Sequence, residues 1–117
     1  MAGKPAQGKK ARRVLFVCSA NQCRSPMAEV IFKDFVQKNN PSPSEWHIES
    51  AGCWAPVGCP STPTARQAMR LRGLDLSSHR SQPVTQALLE KFDLILCMQF
   101  GQKSTLRHNF PQAAERI

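Results

Sequence analysis

"VLFVCSANQCRSPMAEV", residues 14–30, decides how the rest of the chain is read. The uninterrupted apolar run at 14–18 has the length and composition of a strand buried on both faces, as in parallel sheets. It stops at Cys18. Arg24 follows after five residues, then Ser25, a good helix N-cap, and Pro26, which suits the first helical position. Beyond them Met27, Ile31 and Phe35 recur every four residues, as do Ala28, Phe32 and Val36. That spacing predicts a helix with a broad apolar face, ending in the breaker-rich "KNNPSPS" at 38–44.

A loop that leaves a strand and enters a helix turns its amide N–H groups toward one point, and the helix N-terminus adds a partial positive charge there. An oxyanion such as phosphate fits that cradle. Ser19, Ala20, Asn21, Gln22 and Cys23 would supply the loop, and the planar fork of Arg24 can close on two phosphate oxygens. The same field favours the thiolate of Cys18, and the Ser25 hydroxyl can donate to its sulfur. A thiolate beneath a bound phosphate is placed for in-line attack. A bare C-x5-R pattern is weak, and a buried structural cysteine beside an incidental arginine would also produce it. The strand before it and the "RSP" helix start after it make the pattern specific.

Working outward, strands are expected at 46–50 and 93–98. Helices are expected at 64–73, with Gly73 as the stop, at 85–92, and at 101–110 before Pro111. Residues 51–63 read as a Gly-, Pro- and Cys-rich loop, and "AAERI" at 113–117 as the entry to a further strand. Strands alternating with helices predict an α/β fold with a parallel sheet, and ligands bind such sheets at the carboxyl ends of the strands, where Cys18 lies.

The totals bound the rest. The 117 residues suit one domain, and no apolar run of about 18 residues predicts a membrane span. The N-terminus has no apolar core of a secretory signal, so a cytoplasmic location is expected. Of the net charge of +8, Lys4, Lys9, Lys10, Arg12 and Arg13 carry +5, which leaves +3 for residues 14–117. Residues 1–13 are therefore expected as a basic disordered tail and 14–117 as the domain. The tail has no interleaved aromatics, so no specific nucleic-acid partner is expected. The cysteines at 18, 23, 53, 59 and 97 are odd in number and lack C-x-x-C spacing, against a disulfide framework and against a zinc site. No metal or cofactor is expected, and Cys53, Cys59 and Cys97 read as structural or incidental.

"VLFVCSANQCRSPMAEVIF", with "IESAG", "LRGLDLSSHRSQPVT" and "FDLILCM" following in order, resembles the low-molecular-weight protein tyrosine phosphatase family. The resemblance covers about residues 14–117. It implies a three-layer, doubly wound sheet with flavodoxin-like strand order, and hydrolysis of protein phosphotyrosine without a cofactor. It makes Cys18 the nucleophile that forms a cysteinyl phosphate, Arg24 the phosphate clamp, and Ser25 the stabiliser of the departing thiolate. Asn21 would hold the loop, supported by Ser50 and His79, and Trp54 would wall the substrate ring. Cys23 would form a reversible redox pair with Cys18. Each supporting role has a plainer rival: a turn histidine at 79, a core-covering loop residue at 54, a strand end at Ser50, a packing residue at Cys23.

The family's general acid is an aspartate in an Asp-Pro motif, and here none of Asp34, Asp75 and Asp93 precedes a proline. The fourth strand, the acid loop and the last helix are expected to be missing. Impaired activity follows, and so does self-association through an exposed sheet edge. Three alternatives stay open. A phosphoarginine phosphatase would share Cys18 and Arg24. An arsenate reductase of the same fold would use Cys97 but needs a further cysteine where Ser104 stands. A non-catalytic phosphate-binding protein would need only the cradle.

Overall fold

A computed structural model describes residues 12–117. Among these residues three parallel strands form one sheet: β1 (Arg12–Cys18), β2 (Trp46–Gly52) and β3 (Leu94–Cys97), in the spatial order β2-β1-β3. Val14 pairs with Ile48 on one side and Leu94 on the other, and Cys18 reaches the level of Gly52. The expected α/β architecture is present. β1 begins at Arg12, so Arg12 and Arg13 belong to the strand rather than to a tail. The tail expected before them lies outside the described residues.

Alternation along β1 divides the core between the two faces. Val14 and Phe16 join Ile48 under α1 (Arg24–Asn39), against Val36 and Phe32. Leu15 and Val17 face the other way, joined by Ala51 and Ile95. There they meet Leu88 and Leu89 of α3 (Gln86–Leu89), Phe92, and Leu106 of α4 (Phe100–Asn109). Burying a side chain the size of Leu89 contributes about 2 kcal/mol. The helix α2 (Pro63–Leu71) packs Ala65 and Met69 with Leu76 against Met27 and Val30 of α1. Thr62 caps α2 by accepting from the Ala65 N–H, and Gly73 takes a φ of +76° just past its end.

Three local expectations need correction. The apolar face of α1 is narrower than its sequence suggests: Ala28, Phe32 and Val36 pack inward, but Ile31 and Phe35 are exposed. Ser25 does not cap the helix. Cys23 occupies that position without a side-chain bond, Ser25 lies inside the first turn, and Pro26 is third. The hydroxyl of Ser25 is used instead on Cys18 and Asn21. The segment read as entering a strand near 113 is a 3-10 helix, Pro111–Arg116, whose Ala113 fills the core beside α4.

Candidate active site

Cys18 ends β1 and is almost wholly buried. Its sulfur lies 3.0 Å from Ser25 Oγ and accepts from the Asn21 N–H at 3.3 Å. The carbonyls of Cys18, Ser19 and Gln22 accept from the N–H groups of Cys53, Trp54 and Thr62, each at 2.9 Å. A trans peptide points its N–H opposite to its carbonyl. Turning those three carbonyls outward therefore aims the N–H groups of Ser19, Ala20 and Cys23 into the loop. Arg24 is exposed at the first position of α1, where the helix dipole is positive.

Asn21 holds this shape. It is fully buried at a φ of +58°, a left-handed conformation that Asn tolerates better than most residues. Its Nδ2 donates to Ser25 Oγ and to Ser50 Oγ, both at 2.9 Å, and its Oδ1 accepts from the Gln82 N–H at 2.9 Å. Its carbonyl accepts from His79 Nε2 at 2.7 Å, which requires the proton on that nitrogen. Ser50 in turn donates to Glu29 Oε1 at 2.6 Å. A carboxylate on α1 thus anchors a chain of hydrogen bonds running through Ser50, Asn21 and Ser25 to Cys18.

Sequence reasoning named Asn21, Ser50 and His79 for this neighbourhood and missed four other contributors. Glu29 and Gln82 carry no motif of their own. Gly52 closes "IESAG", and a Cβ there would lie 2.5 Å from the Ser19 carbonyl oxygen and 2.9 Å from the Asn21 nitrogen. Only glycine lets β2 pass this close to the loop. Gln102, buried in the first turn of α4, donates to Ser19 Oγ at 3.2 Å and accepts from the Gln99 N–H. Its signal was the Gln99–Gln102 spacing of a capping box.

The other named residues are distributed as follows. Trp54 is 69% exposed beside Ser19, to which its backbone N–H donates. Gln22 is half-buried, Cys23 is exposed, and all five cysteines are free thiols. Cys53 follows β2 and packs on the α3–α4 face with Cys97, away from the face under α1. Burial raises the Cys53 thiol, the neighbouring Cys18 adds to this, and a backbone hydrogen bond opposes it. Burial and then Cys53 push Cys97 up to about 11, against Lys103. Among the described residues no cluster of His, Cys, Asp or Glu is close enough to hold a metal ion.

None of the three aspartates sits with the loop. Asp34 pairs with Lys38 on α1, and Asp75 accepts from the Ser77 N–H in a turn. Asp93 accepts from the Arg13 N–H at the start of β3, the opposite end of the sheet from Cys18.

Comparison with known proteins matches residues 13–117 to the family described as low molecular weight phosphotyrosine protein phosphatase. The probable low molecular weight protein-tyrosine-phosphatase EpsP of Ralstonia nicotianae is 37% identical over 100 residues, 86% of this chain and 64% of that protein. The protein-arginine-phosphatase of Bacillus subtilis is 33% identical over 89% of this chain and 67% of its own. The crystal structure of a low molecular weight protein tyrosine phosphatase from T. tengcongensis superposes with a TM-score of 0.84 at 38% identity, covering 92% of this chain and 71% of that one. This chain therefore spans about two thirds of the length of the relatives it matches. On its strand–loop–helix geometry and on these matches, the chain belongs to the low molecular weight phosphotyrosine protein phosphatase family.

Proposed function

We propose that the chain hydrolyses phosphate monoesters of protein tyrosine through Cys18. The carrying observation is the buried cluster that joins Cys18 to Ser25, Asn21 and Ser50 under a loop whose amides face inward. In the first step the Cys18 thiolate attacks phosphorus, an S–P bond forms, the P–O bond to the phenol breaks, and the phenolate takes up a proton. Arg24 and the loop amides hold the equatorial oxygens, where charge spreads. In the second step water attacks phosphorus and loses a proton, the S–P bond breaks, and phosphate leaves. Ser25, at 3.0 Å, then stabilises the returning thiolate. Cys23, exposed and five residues on, is assigned to protect Cys18 by forming a disulfide when peroxide oxidises it, with release of water. Trp54 is assigned to the substrate ring.

The weak point is the first proton. A phenol such as that of tyrosine titrates near 10, so its departure is slow without an acid. No aspartate of this chain stands at the loop. The chain should therefore turn over p-nitrophenyl phosphate, whose phenol is more acidic, faster than a phosphotyrosine peptide by about 10²–10⁴-fold in kcat. Equal rates would show that another group supplies the proton.

A second reading is favoured by one relative, the arginine phosphatase of Bacillus subtilis. Phosphoarginine and phosphotyrosine peptides of one sequence, offered side by side, separate the two. Arsenate reduction is disfavoured: Cys97 is held protonated at neutral pH and Ser104 offers no second thiol. No helix among the described residues is long and apolar enough to cross a membrane. A cytoplasmic location is part of the proposal, since the chemistry needs a reduced thiol. So is self-association along β3, whose outer edge has no strand partner among the described residues.

A further inference from the structure

The run 50–74, from the end of β2 through the following loop and α2, meets the phosphate loop at the N–H groups of Cys53, Trp54 and Thr62 and then packs α2 on α1. This run contains no aspartate or glutamate and three arginines, Arg66, Arg70 and Arg72. Arg70 and Arg72 are exposed, and Arg66 is half-buried with its guanidinium on the Ser61 carbonyl. Among the described residues no carboxylate lies within ion-pair distance of any of the three. Arg66 and Arg70 are four residues apart on one helix, a spacing at which like charges repel. Asp75 offsets part of this charge by its field on Arg70, and Arg66 and Arg72 have no such neighbour among the ion pairs of the described residues.

The Thr62 N–H, at the N-terminus of α2, donates to the Gln22 carbonyl of the phosphate loop at 2.9 Å. The helix starts against the loop and leads away from it. At about 1.5 Å of rise per residue, Arg66 and Arg70 lie about 6 and 12 Å along α2 from Thr62. An extended peptide covers those lengths in about two and four residues. Both arginines line a hollow of about 360 Å³, together with Gly73, Leu74, Asp75 and Leu76. The one carboxylate there, Asp75, is held below its usual range first by its hydrogen bonds to Ser77 and then by the Arg70 charge, so Arg70 is partly balanced within the chain.

We infer that the α2 arginines are a docking surface for acidic side chains flanking the phosphorylated residue of a protein substrate, two to four positions away from it. The inference rests on the phosphatase reading and names its substrate class: acidic phosphoprotein segments rather than neutral or basic ones. Exposed charge pairs of this kind act mainly on encounter and are screened by salt.

Two phosphotyrosine peptides test it on the full chain, one with glutamates at two to four residues on both sides and one with glutamines there. Binding is measured by calorimetry, and turnover of p-nitrophenyl phosphate is followed in parallel. The acidic peptide should bind about fivefold tighter at low ionic strength, and the gap should close at about 0.5 M salt. Arg70→Glu should erase the preference and leave the aryl phosphate rate unchanged, while Arg70→Lys should keep it. Equal binding of the two peptides by a chain that turns over the aryl phosphate overturns the docking surface alone, as does a preference that survives in both Arg70→Glu and Arg70→Gln. Binding of neither peptide together with no aryl phosphate turnover overturns the phosphatase reading and the docking surface with it.

Discussion

The loop end of the sheet and the outer edge of β3 are built on opposite terms. At the loop, Asn21, Ser25 and Ser50 are buried polar groups, and every one has its partners within the chain. Along β3, Ile95 is buried toward α3 and α4, but Leu94 and Leu96 are 46% and 39% exposed. They point to the α1 side of the sheet, where α1 covers β1 and β2 and stops short. Phe100, which starts α4 beyond the strand, is 80% exposed. A satisfied polar cluster fixes one conformation, because each group lost leaves another unpaired at about 1–3 kcal/mol. An apolar edge without charge or proline is open to another strand. The loop is thus closed within one chain, whereas among the described residues no strand pairs with the outer edge of β3.

The largest expected effect breaks the closed region. Gly52→Ala places a methyl group against the backbone of Ser19 and Asn21, neither of which can yield without moving the loop. Phosphate affinity should fall at least about 100-fold, as expected when a binding loop is displaced by about 1 Å. Titration with inorganic phosphate checks this, and unchanged affinity would mean that the loop tolerates the shift. At the open edge, Leu96→Lys adds a charge where a second chain would pair. It should lower the sedimentation-weighted mass at a fixed concentration by up to about half, toward that of one chain. An unchanged mass would place any self-association elsewhere.

The smallest effect lies where the two regions meet. Cys97 ends β3 and pairs in register with Val17, one residue before Cys18. Because burial raises it to about 11, it stays protonated at pH 8, so iodoacetamide should label it more slowly than exposed Cys23 by about 10-fold or more. Its rate should climb as the pH approaches 11. The same shift lowers stability between about pH 9 and 11, where the unfolded chain releases this proton and the folded one retains it. Mass spectrometry of the labelled peptides gives the order directly.

The fold was legible because its signals are local. The run at 14–18 and the "RSP" start gave β1 and α1, and Gly73 gave the end of α2. What was not legible depends on contacts across the chain. Ile31 and Phe35 look like core on a helical wheel, but the neighbouring layer does not reach them. Ser25 looks like a cap, but its hydroxyl has a better partner in Cys18. In the candidate site, Cys18, Asn21 and Arg24 sit in one short motif and could be read together. Glu29, Gln82 and Gln102 act through a serine, a backbone N–H and a hydroxyl that come near them only after folding.

The central claim is that this closed loop makes Cys18 a phosphoryl acceptor. Acid quenching during turnover of p-nitrophenyl phosphate, followed by peptide mass spectrometry, tests it most directly. The account predicts one phosphoryl group on the peptide carrying Cys18, absent in Cys18→Ser along with turnover. Turnover that persists in Cys18→Ser, or a phosphoryl group trapped on another residue, would contradict it.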